Sequence, residues 1–227
     1  MDAGDAVVAD FPRWIPPEIR DVSGVLLNSG REAFTGCSGV YLLGSNPGGD
    51  PAVETETVAD QARRALEGED SNWSSFRDDS WQNGTRKPGT VPMQRSVLHL
   101  LKQPGLDPGA VPASNMVFVR SRREGDIPGD QMRTLAKACW PFHEAMIEQL
   151  GVRVIVCFGG KTSEFVCDKL AAHVETDRFV EANRRRWTSR TYLSPHGISV
   201  VDARHPSVAS RWSPTGPCPR FLDTGFV

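Results

Sequence analysis

The stretch Gly39-Val40-Tyr41-Leu42-Leu43-Gly44-Ser45-Asn46-Pro47-Gly48-Gly49 joins a short apolar run to a loop of glycine, serine, asparagine and proline. Four consecutive apolar residues between glycines suit a strand buried on both faces, as in a parallel sheet covered by helices. Three further runs resemble it: Met116 to Val119 after Asn115, Val152 to Phe158 before Gly159-Gly160, and Ile198 to Val201 before Asp202. Between them lie helical patterns over Gln94–Leu101 and Met132–Leu150. In the second, Leu135, Cys139, Phe142, Met146, Ile147 and Leu150 recur mostly every three or four residues, and Pro141 predicts a kink. Strands alternating with helices predict an α/β fold, a three-layer α/β/α sandwich around a central, mainly parallel four-stranded sheet. A short helix is also expected over Glu18–Leu27, after Pro16-Pro17.

Composition bounds the function. The 227 residues are 39% hydrophobic and 24% charged, which suits one globular domain over 1–227, with 1–37 as an N-terminal extension. A formal charge of -2 argues against a protein coated in positive charge and leaves room for a local basic face. The five cysteines form no C-x-x-C pair, and Cys157 lies inside an apolar run, so reduced thiols in a cytoplasmic protein are expected. No run approaches the roughly 18 apolar residues that a membrane span needs. A monomer that does not enter membranes is the expectation.

In an open α/β sheet, ligands bind beyond the carboxyl ends of the strands, which draws attention to Ser45-Asn46, Arg120 and His205. Pro47 stiffens the loop after the first run, and the flanking glycines allow another molecule to approach the backbone. No Gly-Lys-Ser/Thr follows, so this is not a P-loop. A nucleotide-phosphate loop would also need a helix directly after Gly49, and Asp50-Pro51 disfavours one. His205-Pro206-Ser207 follows the last run and offers an imidazole for proton transfer or for donating to an oxygen that becomes anionic. Asn115 carries a paired donor and acceptor that suit the edge of a nucleobase. Each of these alone has an ordinary reading, as a turn, a surface histidine or a strand-start asparagine.

Together, in this order, they resemble the uracil-DNA glycosylase superfamily. Gly44-Ser45-Asn46-Pro47-Gly48 is similar to the G-x-N-P-G form of its first motif, His205-Pro206-Ser207 to its H-P-S motif, and Asn115 to Arg120 to its uracil-reading strand. The resemblance runs from about Val40 to Pro214 and includes the helix-strand-glycine unit from Cys139 to Gly160. It implies a monofunctional enzyme that hydrolyses the N-glycosidic bond of uracil or a related base, in single-stranded DNA or a damaged duplex. Asn46 would orient the water and His205 would stabilise the departing base. Gly44, Ser45, Pro47, Gly48 and Asn115 would surround that base, with Phe76 or Trp81 stacking on it. Arg120, Arg122 and Ser207 would contact DNA, with Arg211 as the wedge that fills the vacated stack. Arg184-Arg185-Arg186 with Arg190 forms a second basic cluster, equally readable as a solvated surface run.

The departures from the family are informative. Only Cys139 falls where an iron-sulfur ligand would, so neither metal nor cofactor is expected. Gly48 stands where the best-known branch has a tyrosine that excludes thymine, which opens the site to bases such as 5-hydroxymethyluracil. Asn46 replaces that branch's aspartate and cannot deprotonate water, and Asp50 is the nearest acidic alternative. A chain that binds uracil or DNA without efficient turnover is the competing reading.

Overall fold

The computed structural model describes residues 3–36, 39–67, 70–81, 84–181 and 184–207. Arg211, Cys37 and Cys218 lie outside these described residues. Among the described residues, six strands form one sheet: β1 (Val40–Gly44), β2 (Ala113–Asn115), β3 (Val154–Phe158), β4 (Val174–Val180), β5 (Thr188–Leu193) and β6 (Ser199–Ala203). Their order is β2-β1-β3-β6-β5-β4. The pairings among β2, β1, β3 and β6 are parallel, and β5 and β4 extend the sheet antiparallel.

The fold is therefore α/β with a mixed six-stranded sheet, which corrects the expected four strands. The physical reason is composition. β4 reads Val-Glu-Thr-Asp-Arg-Phe-Val and is exposed along nearly its whole length, so it carries no apolar run to betray it. β5 pairs it to β6 through backbone ladders on both sides.

The second strand also differs from expectation. Met116, Val117 and Phe118 are buried, yet the strand is the preceding Ala113-Ser114-Asn115. An apolar run reports burial rather than ladder pairing, and here it marks the segment that leaves the sheet and dives beneath the first loop. Asn115 consequently closes its strand instead of opening it. The helix expected over Glu18–Leu27 is absent. A 3-10 turn spans Pro17–Ile19, after which Ser23, Gly24, Leu27 and Ser29 make isolated bridges. Gly24 packs so closely on the Phe118 carbonyl that an added Cβ would lie 2.2 Å from its oxygen, and Gln61 satisfies the backbone of Leu26 and Leu27.

Among the described residues the α-helices are α1 (Ala3–Trp14), α2 (Val58–Glu67), α3 (Pro92–Lys102), α4 (Gly129–Gln149) and α5 (Gly160–Leu170). Successive side chains of a strand point to opposite faces, and the core divides accordingly. Tyr41, Leu43, Ile155, Cys157 and Val200 pack with residues of α1, α2, α4 and α5. Val40, Leu42, Val156, Phe158 and Val201 pack with α3 and Phe76. Helices thus cover both faces, and Phe11 of α1 meets Phe34 and Phe142 edge-on, tying the N-terminal segment into the core. Cys139, Cys157 and Cys167 are free and buried. No helix among the described residues is long and apolar enough to cross a membrane.

Candidate functional site

Parallel pairing of β2, β1, β3 and β6 brings their carboxyl ends to one edge. Gly44 is level with Asn115, Leu43 with Cys157, and Phe158 with Ala203. The loop after β1, the end of β2, the turn into α5 and the Arg204-His205 segment after β6 therefore line the same rim. At the usual strand spacing, the chain ends leading to Asn46 and His205 stand about 10 Å apart.

The loop from Gly44 to Gly48 is held by the segment that follows β2. The N–H groups of Met116, Val117 and Ser121 donate to the carbonyls of Gly44, Ser45 and Pro47 at 2.8, 2.9 and 3.1 Å. Asn46 adds its side chain: Nδ2 donates to Ser121 Oγ at 2.8 Å and lies 3.3 Å from the carbonyl oxygens of Val119 and Pro47. Carbonyls only accept, so this end of the amide must be the NH2 group. Among the described residues its Oδ1 has no hydrogen-bond partner, which leaves a fixed acceptor at the rim.

Asn115 is 8% exposed, and its side-chain amide makes no hydrogen bond to any described residue. Its amide atoms nevertheless keep some contact with solvent. A nearly buried amide with both donor and acceptor unspent is costly unless water or a ligand completes it. Gly44 makes room for it.

His205 Nδ1 lies 2.8 Å from Ser207 Oγ and accepts the backbone N–H of Ser207 at 3.3 Å. A backbone N–H can only donate, so Nδ1 is the acceptor and the neutral ring carries its proton on Nε2. Burial holds the imidazole below its ordinary pKa, opposed by the charge of Glu124 and aided by that of Arg204. At neutral pH the Nε2–H is thus a neutral donor.

Other expected residues fall into different roles. Arg120, with a side chain 8% exposed, binds Glu54 at 2.6 Å and the Gly48 carbonyl, so it clamps the loop from within. Gly49, at φ +117°, lies against both partners of that clamp, where only glycine fits. Arg122 is exposed and pairs with Asp50 at 2.7 Å, and this guanidinium pulls the Asp50 carboxyl below its usual range. Phe76 is buried, edge-on to Phe158 at the end of β3, with Trp81 tilted against it. Trp73 instead donates its Nε1–H to Asp79. At Gly48 an added Cβ would meet nothing within 4 Å.

Four rim residues escaped the sequence reading. Glu124 Oε1 accepts the Ser45 hydroxyl at 3.3 Å and pairs with Lys161 Nζ of α5 at 3.5 Å. Arg204 and Arg185 lie over the Trp187 ring, 4.6 and 5.1 Å from its centroid. The polar stretch after the buried Met116–Phe118 run was the one available signal for Glu124. Trp187 reaches the rim through the pairing of β5 with β6, which polar β5 does not advertise, while Lys161 opens α5 after β3 and Arg204 follows β6 with no sequence pattern to single them out. Neither a protein-family profile nor a curated protein matches the chain.

Proposed function

We propose that this chain is a monofunctional DNA glycosylase of the uracil-DNA glycosylase type, hydrolysing the N-glycosidic bond of uracil or a related damaged base and so starting base excision repair. The observation that carries the reading is the unspent amide of Asn115, set on the same rim as a fixed acceptor on Asn46 and a neutral Nε2–H on His205.

The reaction needs a base extruded from the stack, a placed water and stabilisation of the base anion. Asn115 supplies a donor and an acceptor for the Watson-Crick edge of the flipped base. Asn46 Oδ1 accepts a hydrogen from the attacking water and so aims its oxygen at the sugar carbon. His205 donates Nε2–H to the base carbonyl oxygen, where charge collects as the glycosidic electron pair leaves. Desolvation of that donor strengthens its interaction with the growing negative charge. The open space at Gly48 favours acceptance of 5-substituted pyrimidines. Arg122, Ser207 and the Arg185 and Arg204 groups over Trp187 supply contacts for backbone phosphates, and the chain acts as a monomer on DNA.

A second reading, DNA or uracil binding without efficient turnover, is favoured by one observation: Asn46 cannot accept the water's proton and Asp50 is occupied by Arg122. One assay separates the two. Oligonucleotides carrying uracil, hypoxanthine, xanthine or 5-hydroxymethyluracil, single-stranded and in mismatched duplex, are incubated with the protein and treated with alkali. Strand scission that His205→Ala lowers by about 100-fold or more supports the glycosylase. Binding with no scission on any of them supports the second reading.

A further inference from the structure

We infer that Glu124 is the base that takes the proton from the attacking water, supplying the carboxylate that the loop after β1 lacks. This rests on the glycosylase reading and adds a residue to it.

The chemistry leaves a vacancy for such a group, because the Asn46 amide can orient water but cannot take its proton. Asp50, its nearest acidic neighbour in sequence, has both carboxylate oxygens engaged: Oδ2 with Arg122 at 2.7 Å and Oδ1 with the Ala52 N–H at 3.0 Å. Glu124 is placed differently. Its Oε1 is tethered on two sides, by the hydroxyl of Ser45, the residue directly before Asn46, and by Lys161 in the first turn of α5. Its Oε2 has no partner among the described residues, and the side chain is 48% exposed, open to water. Its negative charge is felt at His205, across the rim. One oxygen is held beside the water-orienting loop and the other has no partner among the described residues, within electrostatic range of the histidine, as suits a general base. Within its own segment, Asp126 is occupied in accepting the Arg123 N–H at 2.9 Å.

In the step, the bond between the sugar carbon and the base nitrogen breaks and its electron pair leaves with the base. The water oxygen bonds to the sugar carbon, and its surplus proton passes to Glu124 Oε2. The base anion then takes a proton from solvent.

The test uses Glu124→Gln, which keeps an acceptor for Ser45 and Lys161 and removes only the basic carboxylate. Single-turnover excision of uracil from an oligonucleotide is expected to fall about 100-fold, within the usual range for loss of a general base. Affinity for the same oligonucleotide with a cleavage-resistant 2′-fluorinated deoxyuridine should stay near wild type, and added formate, a small carboxylate able to enter an open site, should restore much of the rate. Asp50→Asn should excise at the wild-type rate. A wild-type rate in Glu124→Gln, or a loss that formate leaves untouched, would overturn the assignment while the glycosylase reading stands. A wild-type protein that binds the fluorinated probe and excises nothing would remove that reading and this inference with it.

Discussion

Gly44 and Asn115 sit opposite one another in the β1–β2 ladder, and a Cβ at position 44 would lie 2.5 Å from Asn115 Oδ1. The absence of a side chain at one residue thus sets the pose of the other's amide. Asn115 can swing away at little cost to the fold, so Gly44→Ala should melt close to wild type. Uracil excision should nevertheless drop by about tenfold or more, the equivalent of one misplaced hydrogen bond. Thermal melts and excision rates on the same samples check this, and equal loss of both would show that the glycine serves packing alone.

Asn46→Asp should not turn this loop into a better catalyst. The Nδ2 group donates to Ser121 Oγ and faces two carbonyl oxygens, and a carboxylate there would set acceptor against acceptor. A cost of about 1–3 kcal/mol in stability is expected, with excision lowered and not raised. Urea denaturation and a single-turnover assay would show it. A faster enzyme of unchanged stability would mean that the amide points the other way.

Arg120 and Arg122 should part company. Arg120 is a buried clamp between Glu54 and the Gly48 carbonyl, so Arg120→Ala empties that buried position, loosens the loop and should lower the melting temperature. Arg122→Ala removes an exposed cation and should leave stability within about 0.5 kcal/mol of wild type. If Arg122 meets phosphate, its loss lowers the salt-dependence slope of DNA binding by about one. Binding titrations at several salt concentrations decide it, and an unchanged slope would remove Arg122 from the interface.

A buried histidine should make the fold acid-sensitive. His143 is fully buried behind Asn115, with Nε2 3.3 Å from the Met116 carbonyl and Nδ1 2.8 Å from the Tyr41 hydroxyl. The carbonyl can only accept, so the proton sits on Nε2 and Tyr41 donates to Nδ1. Burial lowers its pKa to about 4. Because the folded value lies below the unfolded one of about 6.5, the unfolded chain binds the proton first as pH falls. Stability is whole above about pH 6.5, declines from there to about pH 4, and levels off after losing about 3 kcal/mol. In His143→Gln this part of the pH dependence should vanish. Parallel stability curves for the two proteins over that range would show that His143 contributes none of it.

Much of the architecture was legible because burial on both faces of a strand leaves a mark in composition. The runs around Val40, Val154 and Val200 read as parallel core strands, and Gln94–Leu101 and Met132–Leu150 as helices, because both periods are set by which residues must leave water. The same logic misplaced β2, since Met116 to Phe118 are as apolar as a strand while pairing with a loop instead of a ladder. It could not see β4 and β5, whose membership in the sheet rests on backbone hydrogen bonds that any side chain permits.

For the rim, local chemistry singled out Gly44, Asn46, Asn115 and His205, because glycine, amide and imidazole groups after apolar runs carry their donors and acceptors wherever the fold takes them. Which of those donors and acceptors remain unspent was decided only in three dimensions. Ser121, 75 residues from Asn46, fixes the direction of its amide, and Ser207 sets the tautomer of His205. Glu54 takes Arg120 inward, and Ser45 with Lys161 holds Glu124 at the edge. Hydrogen-bond partners distant in sequence are chosen by the packing of the whole chain, so the sequence by itself determined the kinds of groups at the rim, and the tertiary structure decided which of them are free to act.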